Sequence, residues 1–243
     1  MRRRTKQQLV IAALLVAAAG VGALAGPFVH SSTATGDDVT PAQPSSSSTV
    51  SAAAASDALQ DVHALPLSDA YVPGYDRTAF GQAWADADHN GCDTRNDVLR
   101  RDLVDVVTKP GTNGCVVLSG TLQDPYTGRT IDFQRGPTSS LAVQIDHRWP
   151  LGLVWRHGAA SWTPAQREAF ANDPTELVAV DGPANEEKSD SGPGAWRPAN
   201  AGDACSYATS VVAVATKWRL SIATADEHAL DRTLTGCTTQ GSK

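Results

Sequence analysis

The sequence predicts an α+β domain with a small ββα core, added helices and a β-hairpin. Three observations carry this. Val143-Gln144-Ile145-Asp146 is an extended-type run that ends in Asp146-His147 and a turn at Pro150. A second apolar run, 177–180, leads into Pro183 to Lys188, a segment able to open a helix. Two further runs, 115–122 and 129–134, flank Asp124-Pro125-Tyr126-Thr127-Gly128, a composition that turns the chain back on itself.

The elements follow in order along the 243 residues. Arg2, Arg3, Arg4 and Lys6 precede an uncharged apolar run, 9–25, that ends in Ala23-Leu24-Ala25, with small residues where a signal peptidase reads. Residues 1–25 are therefore expected to be a signal peptide. The alternative is an N-terminal anchor, for which the run is near the lower limit of length. Either way the remainder is expected outside the cytoplasm, secreted or tethered facing outward. Residues 26–56 are rich in Ser, Ala and Pro and hold almost no large apolar side chains, so a disordered linker is expected. The folded domain is expected over 57–237, with a tail at 238–243.

Within the domain, 57–65 predicts a short helix and 95–107 a longer one, with Val98, Leu99, Leu103, Val106 and Val107 mostly on one face. The hairpin follows, then a third strand at 141–146. Thr163-Pro164-Ala165-Gln166 has a capping-box pattern with Pro at the first helical position, so a helix should run to about 171. A strand at 176–180 and a short helix at 183–188 come next. Tyr207, Val211, Val214 and Trp218 share one face of a helix over 204–218. Thr224-Ala225-Asp226-Glu227 reads as a second capping box, opening the last helix.

Cys92, Cys115, Cys205 and Cys237 allow three pairings, and none lies in a CxxC pair. Widely spaced cysteines behind a secretion signal read as disulfides. Neighbours along the chain suggest Cys92–Cys115 and Cys205–Cys237, and a zinc site is the alternative. The formal net charge is −6, and loss of the basic segment through Ala25 leaves −10. Such a chain has no bulk charge for non-specific binding of nucleic acid. Phosphate contacts would have to come from a local cluster or a bound cation.

The residues at the ββα core have a chemistry in common. A neutral imidazole is the side chain best matched to take a proton near pH 7. A hard cation with oxygen ligands stabilises developing negative charge. Neighbouring strand residues point to opposite sides, so Asp146 can face a cation while His147 addresses a water. Asn185 can add a neutral oxygen ligand, and the start of its helix favours a nearby anion. These types suit phosphodiester hydrolysis, which needs a deprotonated water, relief of charge and help for the leaving oxygen.

Gly74-Tyr75-Asp76-Arg77, Asn90-Gly91-Cys92-Asp93-Thr94-Arg95-Asn96, Ile145-Asp146-His147, Trp155-Arg156-His157-Gly158-Ala159 and the stretch from Asn172-Asp173-Pro174 to Lys188 occur in this order. On these motifs the chain resembles the HNH endonuclease family, more closely its secreted actinobacterial branch with a domain like the GmrSD C-terminal type. The resemblance implies a ββα-metal nuclease. In it Asp146 and Asn185 hold one divalent metal, Mg²⁺ first, with Mn²⁺ or Ca²⁺ as alternatives. His147 is the general base, and Lys188 belongs to the catalytic edge with Asp190 near it. It also implies a nucleic acid substrate, DNA before RNA, and no protein partner; a membrane enters only if the N-terminal segment stays. The family pattern usually has Asn in its second strand, where this sequence has Glu176, a candidate for positioning the loop.

Other residues admit two readings. Arg148 and Arg156 can contact phosphate or form a solvated face. Trp149, Trp155 and Trp162 can stack bases or pack the core. Asp86, Asp88, Asn90 and Asp97 fall at calcium-loop spacings, although Asp97 replaces the usual bidentate Glu and an Asn-Gly turn explains the pattern as well. The rival to a nuclease is a catalytically inactive, disulfide-stapled extracellular binding module on the same scaffold.

Overall fold

A computed structural model describes residues 50–240. The expected signal or anchor segment, the linker up to residue 49 and residues 241–243 of the tail lie outside the described residues. Helix α1 (Ala52–Ala64) starts within the stretch expected to be linker. Ser51 caps it by accepting a bond from the Ala54 N–H, and alanine is the strongest helix former. Ala55, Ala58 and Val62 are buried, so residues 52–56 belong to the folded part.

Helix α2 (Thr94–Asp102) ends before the predicted helical run does, and Leu103–Thr108 forms strand β1. The sequence Leu103-Val104-Asp105-Val106-Val107-Thr108 is dominated by branched side chains that lose rotamer freedom in a helix and pack well on a pleated surface. Pairing decides the outcome: Leu103 lies opposite Leu122 of strand β2 (Val117–Gln123). Strand β3 (Thr130–Gln134) completes the hairpin, with Gln123 opposite Thr130. The Asp124 carboxylate shapes the turn, accepting from the backbone N–H groups of Tyr126 and Thr127. The sheet order is β1-β2-β3, antiparallel throughout.

The second sheet pairs β4 (Val143–His147) with β5 (Leu177–Asp181), antiparallel, with Ile145 opposite Ala179, Asp146 opposite Val178 and His147 opposite Leu177. Between them run α3 (Leu151–Arg156), which the sequence reading missed, and α4 (Pro164–Ala171). The Thr163–Gln166 capping box is formed. Helix α5 (Gly182–Lys188) follows β5 directly, and the Asp181 carboxylate caps it by accepting from Ala184 N–H at 2.9 Å. The β4–β5–α5 unit is thus the expected ββα arrangement. The junction needs a residue without Cβ, since one at Gly182 would meet the Leu141 carbonyl oxygen at 2.0 Å.

Helices α6 (Ala204–Trp218) and α7 (Thr224–Gln240) close the domain and pack with α1. The predicted capping box at Thr224 does not form. The Thr224 N–H and hydroxyl donate to Asp69 instead, while Glu227 N–H donates to the Ala223 carbonyl. Both expected disulfides are present, Cys92–Cys115 and Cys205–Cys237.

The fold has two apolar clusters, and β4 and β5 lie between them. Val143, Ile145, Leu177 and Ala179 pack with Val98, Leu99 and the three-stranded sheet. Val178 and Val180 pack on the other side with α1, α3, α6 and α7. Every residue of β5 is buried, as a strand covered on both faces requires. Among the described residues no helix is long and apolar enough to cross a membrane.

Candidate functional site

At the end of β4 the strand alternation sends consecutive side chains to opposite sides. Asp146 shares the face of Val178, toward the helices. His147 lies opposite Leu177, and its ring meets the Ala171 carbonyl at the end of α4 and the Trp84 ring. The two residues therefore have different partners and different chemistry.

Asp146 is buried in a closed network. The Tyr126 hydroxyl donates to its Oδ2 at 2.6 Å. The Lys188 ammonium lies 3.0 Å from Oδ1 and 3.0 Å from Oδ2. The same Nζ donates to the His147 carbonyl at 2.8 Å, and Lys188 is fully buried. Burial raises the Asp146 carboxyl above its ordinary range, and the Lys188 charge works against that rise. Asn185 turns its amide N–H to the Gln144 side chain at 2.8 Å, tying α5 to β4.

As they stand, these donors do not fit a divalent ion. Both Asp146 oxygens are committed, a buried ammonium balances its charge, and the Asn185 amide nitrogen is bonded to Gln144. Mg²⁺ takes only one or two protein oxygens besides waters, but even one would require an Asp146 oxygen released from Lys188 or Tyr126. Among the described residues, no group of three or more His, Cys, Asp or Glu side chains is gathered as a ligand set. Lys188, expected at the catalytic edge, is fully buried and bonds Asp146 and the His147 carbonyl at the end of β4.

His147 is 9% exposed, and its Nε2 lies 3.0 Å from the Ala171 carbonyl oxygen at the end of α4. A carbonyl only accepts, so Nε2 carries the proton and the lone pair sits on Nδ1. Burial pushes the imidazole pKa down to about 4, so the ring is neutral at pH 7. His147 lines a cavity of about 230 Å³ together with Arg77, Trp84 and Leu151 among others. The Trp84 ring is nearly parallel to the imidazole, at 22° and a centroid separation of 6.4 Å.

Glu176 immediately precedes β5 and is fully buried. Its Oε1 accepts from the Trp149 backbone N–H at 2.8 Å, and its own carbonyl accepts from Arg148 N–H at 3.0 Å. It thus clamps the loop that follows the Asp-His pair. Its other oxygen, Oε2, is buried without a partner, as is the Arg148 Nε. Burial drives the Glu176 carboxyl well above its ordinary value, against the Trp149 N–H bond and the charges of Lys188 and Arg148.

The remaining candidates lie elsewhere. Arg148 and Arg156 are not among the residues that line the His147 cavity, whereas Arg77 is. Trp149 is fully buried and donates to the Val211 carbonyl. Trp155 donates to the Pro73 carbonyl, and Trp162 packs on Phe170 and Trp218. Of the two roles open to these tryptophans, the structure gives them packing. Asp86 and Asp88 accept from the Asn90 N–H, Asp86 also accepts from Gly91, and Asn90 accepts from Cys92. Asp97 sits on α2 with Arg100 at 3.4 Å. The oxygens of the calcium-like stretch thus shape a turn.

Three contributors went unrecognised in the sequence: Arg77, Trp84 and the C-terminal end of α4. Arg77 and Asn172 stand in motifs that signal the family, but nothing in their spacing shows what they touch.

Taken together, the structure is a small α+β domain in which a ββα unit sets a neutral, tautomer-fixed histidine at a cavity wall. The chain belongs to the family described as the C-terminal domain of GmrSD restriction endonucleases, which matches residues 93–232. This is a nuclease-type hydrolase family, which implies a nucleic acid substrate. The chain is also similar to an uncharacterized secreted protein of Arthroderma benhamiae, 38% identical over 148 residues that cover 60% of this chain and 68% of that protein. No solved structure matches it significantly.

Proposed function

We propose that the protein is an extracellular endonuclease that hydrolyses phosphodiester bonds of DNA, with His147 as the general base. The observation that carries this is His147 itself, neutral, fixed as the Nε2–H tautomer by Ala171, and set in the wall of a cavity that also holds Arg77. Family membership supports a nucleic acid substrate, and the secreted relative supports action outside the cytoplasm.

In the proposed reaction Nδ1 takes a proton from a water as its oxygen bonds to phosphorus. The bond to the leaving oxygen breaks, that oxygen takes a proton from solvent, and the imidazolium returns its own proton to solvent. Arg77 offsets charge on the phosphate. A base of pKa about 4 is weak, but an anionic phosphate beside it favours the imidazolium and so strengthens it as substrate arrives. Glu176 holds the loop after His147, and Lys188 holds the backbone carbonyl of His147 itself.

A divalent cation, expected from the resemblance, would require Asp146 to exchange Lys188 for it. That ion pair also favours a second reading, a binding module that keeps the scaffold without cleaving. One assay separates the readings: purified protein on DNA and RNA with Mg²⁺, Mn²⁺, Ca²⁺ or chelator, beside His147→Ala. The proposal predicts cleavage that falls by a factor on the order of 10² to 10⁴ in the variant. Binding without cleavage under every condition selects the second reading.

A further inference from the structure

The chain reaches the His147 cavity through a segment with an unusual backbone. Trp84 has φ 59°, in the left-handed region that a bulky side chain rarely adopts. One buried side chain holds it there. The Asn172 Oδ1 accepts from Ala85 N–H at 3.0 Å, and its Nδ2 donates to the Gln82 carbonyl at 3.2 Å and to the Glu168 carbonyl at 3.0 Å. A single amide therefore grips the backbone on both sides of Trp84. The residue before it, Ala171, supplies the carbonyl that fixes His147. The end of α4 thus sets both rings of the cavity. Strain held by the surrounding structure at a site wall is a recurrent mark of function.

The cavity is small and mixed in character. Phe80, Trp84 and Leu151 supply apolar surface, and Arg77, Thr78 and His147 supply polar groups. At about 230 Å³ it lies below the 300–1,000 Å³ of clefts for drug-sized ligands. It suits one flat ring system, not a stretch of duplex. His147 is 9% exposed, so a phosphodiester reaches it only where a strand can enter the cavity. The acidic chain offers no bulk charge for tracking a duplex backbone. Stacking on an aromatic ring supplies affinity without regard to base identity and without neutralising phosphates.

We propose that this cavity is a subsite for one unpaired nucleotide, with Trp84 as the stacking platform for its base and Arg77 as the contact for the adjoining phosphate. The substrate class is accordingly single-stranded or locally unpaired nucleic acid. This rests on the reading of the His147 site as a nuclease. Asn172 is a positioning residue that acts through Trp84.

The test uses the full secreted protein with Trp84→Ala, Trp84→Phe and Arg77→Gln, folding being checked by circular dichroism. Substrates are a single-stranded oligonucleotide, its duplex, and an abasic strand of the same length. Binding is read by anisotropy with non-cleavable phosphorothioate versions, and cleavage is read separately. The single strand should bind and react at least ten-fold better than the duplex. Trp84→Ala should weaken binding of the single strand by roughly 5- to 150-fold, appearing in KM more than in kcat, and Trp84→Phe should restore most of it. On the abasic strand Trp84→Ala and the parent should bind alike, an equality that a purely structural role would not produce. Arg77→Gln should reduce the salt slope of single-strand binding by about 0.7. Trp84-dependent binding without cleavage would sink the nuclease reading and keep the subsite. Cleavage with equal activity on duplex, or with no effect of Trp84→Ala on KM, overturns the subsite and leaves the nuclease reading standing.

Discussion

Asp146 and Glu176 are both carboxyls buried at the strand pair, yet their partners give them different states. Asp146 has an ammonium and a phenol within 3.0 Å, so its charge is matched. Removing one member of such a pair leaves a buried charge uncompensated, at a cost of about 3–5 kcal/mol. Lys188→Ala should therefore lower thermal stability steeply, while Lys188→Met with Asp146→Asn should recover much of the loss. A Lys188→Ala protein that melts with the parent would show the pair to be idle. Glu176 is the reverse case. Its folded pKa is raised by burial, so the stability carried by its neutral form is complete below about pH 4.5 and is lost as pH rises through the folded value. Glu176→Gln keeps the shape, cannot ionise, and adds an N–H where Oε2 has no partner. The melting temperature of Glu176→Gln should exceed the parent's by a margin that grows with pH. A margin independent of pH would mean that the carboxylate is ionised and paired with Arg148. The sequence identified Asp146, His147 and Glu176 as the notable positions, but partners from distant elements decide their states. Nothing near Asp146 in the chain announces Tyr126, and nothing near His147 announces the Ala171 carbonyl.

Elements were legible where local chemistry and tertiary pairing agree. The Thr163–Gln166 box, the Asp124 turn and the α6 face each carry their own instruction, and each appears where the pattern puts it. They were illegible where tertiary partners override the pattern. Residues 103–107 have helical spacing, but β2 offers an edge and branched side chains take it. Thr224 has the residues of a capping box, but Asp69 outcompetes it from another part of the chain. Helix α3 is six residues behind Pro150, too short to show a period. The disulfides act at this scale as well. Cys205–Cys237 ties the start of α6 to the end of α7 across 32 residues of sequence, and should contribute roughly 2–4 kcal/mol by restricting the unfolded chain. Chemical denaturation of Cys205→Ala/Cys237→Ala against the parent measures this. An unchanged midpoint would show that helix packing alone holds the bundle.

At the scale of the whole molecule the acidic charge leaves no bulk positive charge for nucleic acid, and two disulfides staple the described part of the chain. The ββα core could be read from order alone: strand, Asp-His, strand, helix. What could not be read is that the Lys188 ammonium sits against Asp146 where the resemblance implies a metal, and that His147 lines a cavity with Arg77 and Trp84. Catalysis in the proposed reaction depends on His147 as a base kept neutral by burial. The pH dependence of kcat/KM between pH 8 and 4.5 tests it most directly, since that ratio reports the free enzyme's essential base. With a pKa of about 4 the base form dominates across this range, so the acid side of the profile should stay nearly level. An exposed histidine of ordinary pKa would lose about 100-fold between pH 8 and 4.5. A level profile that collapses in His147→Ala is the predicted result; a fall centred near pH 6.5, or a profile unchanged in His147→Ala, would contradict it.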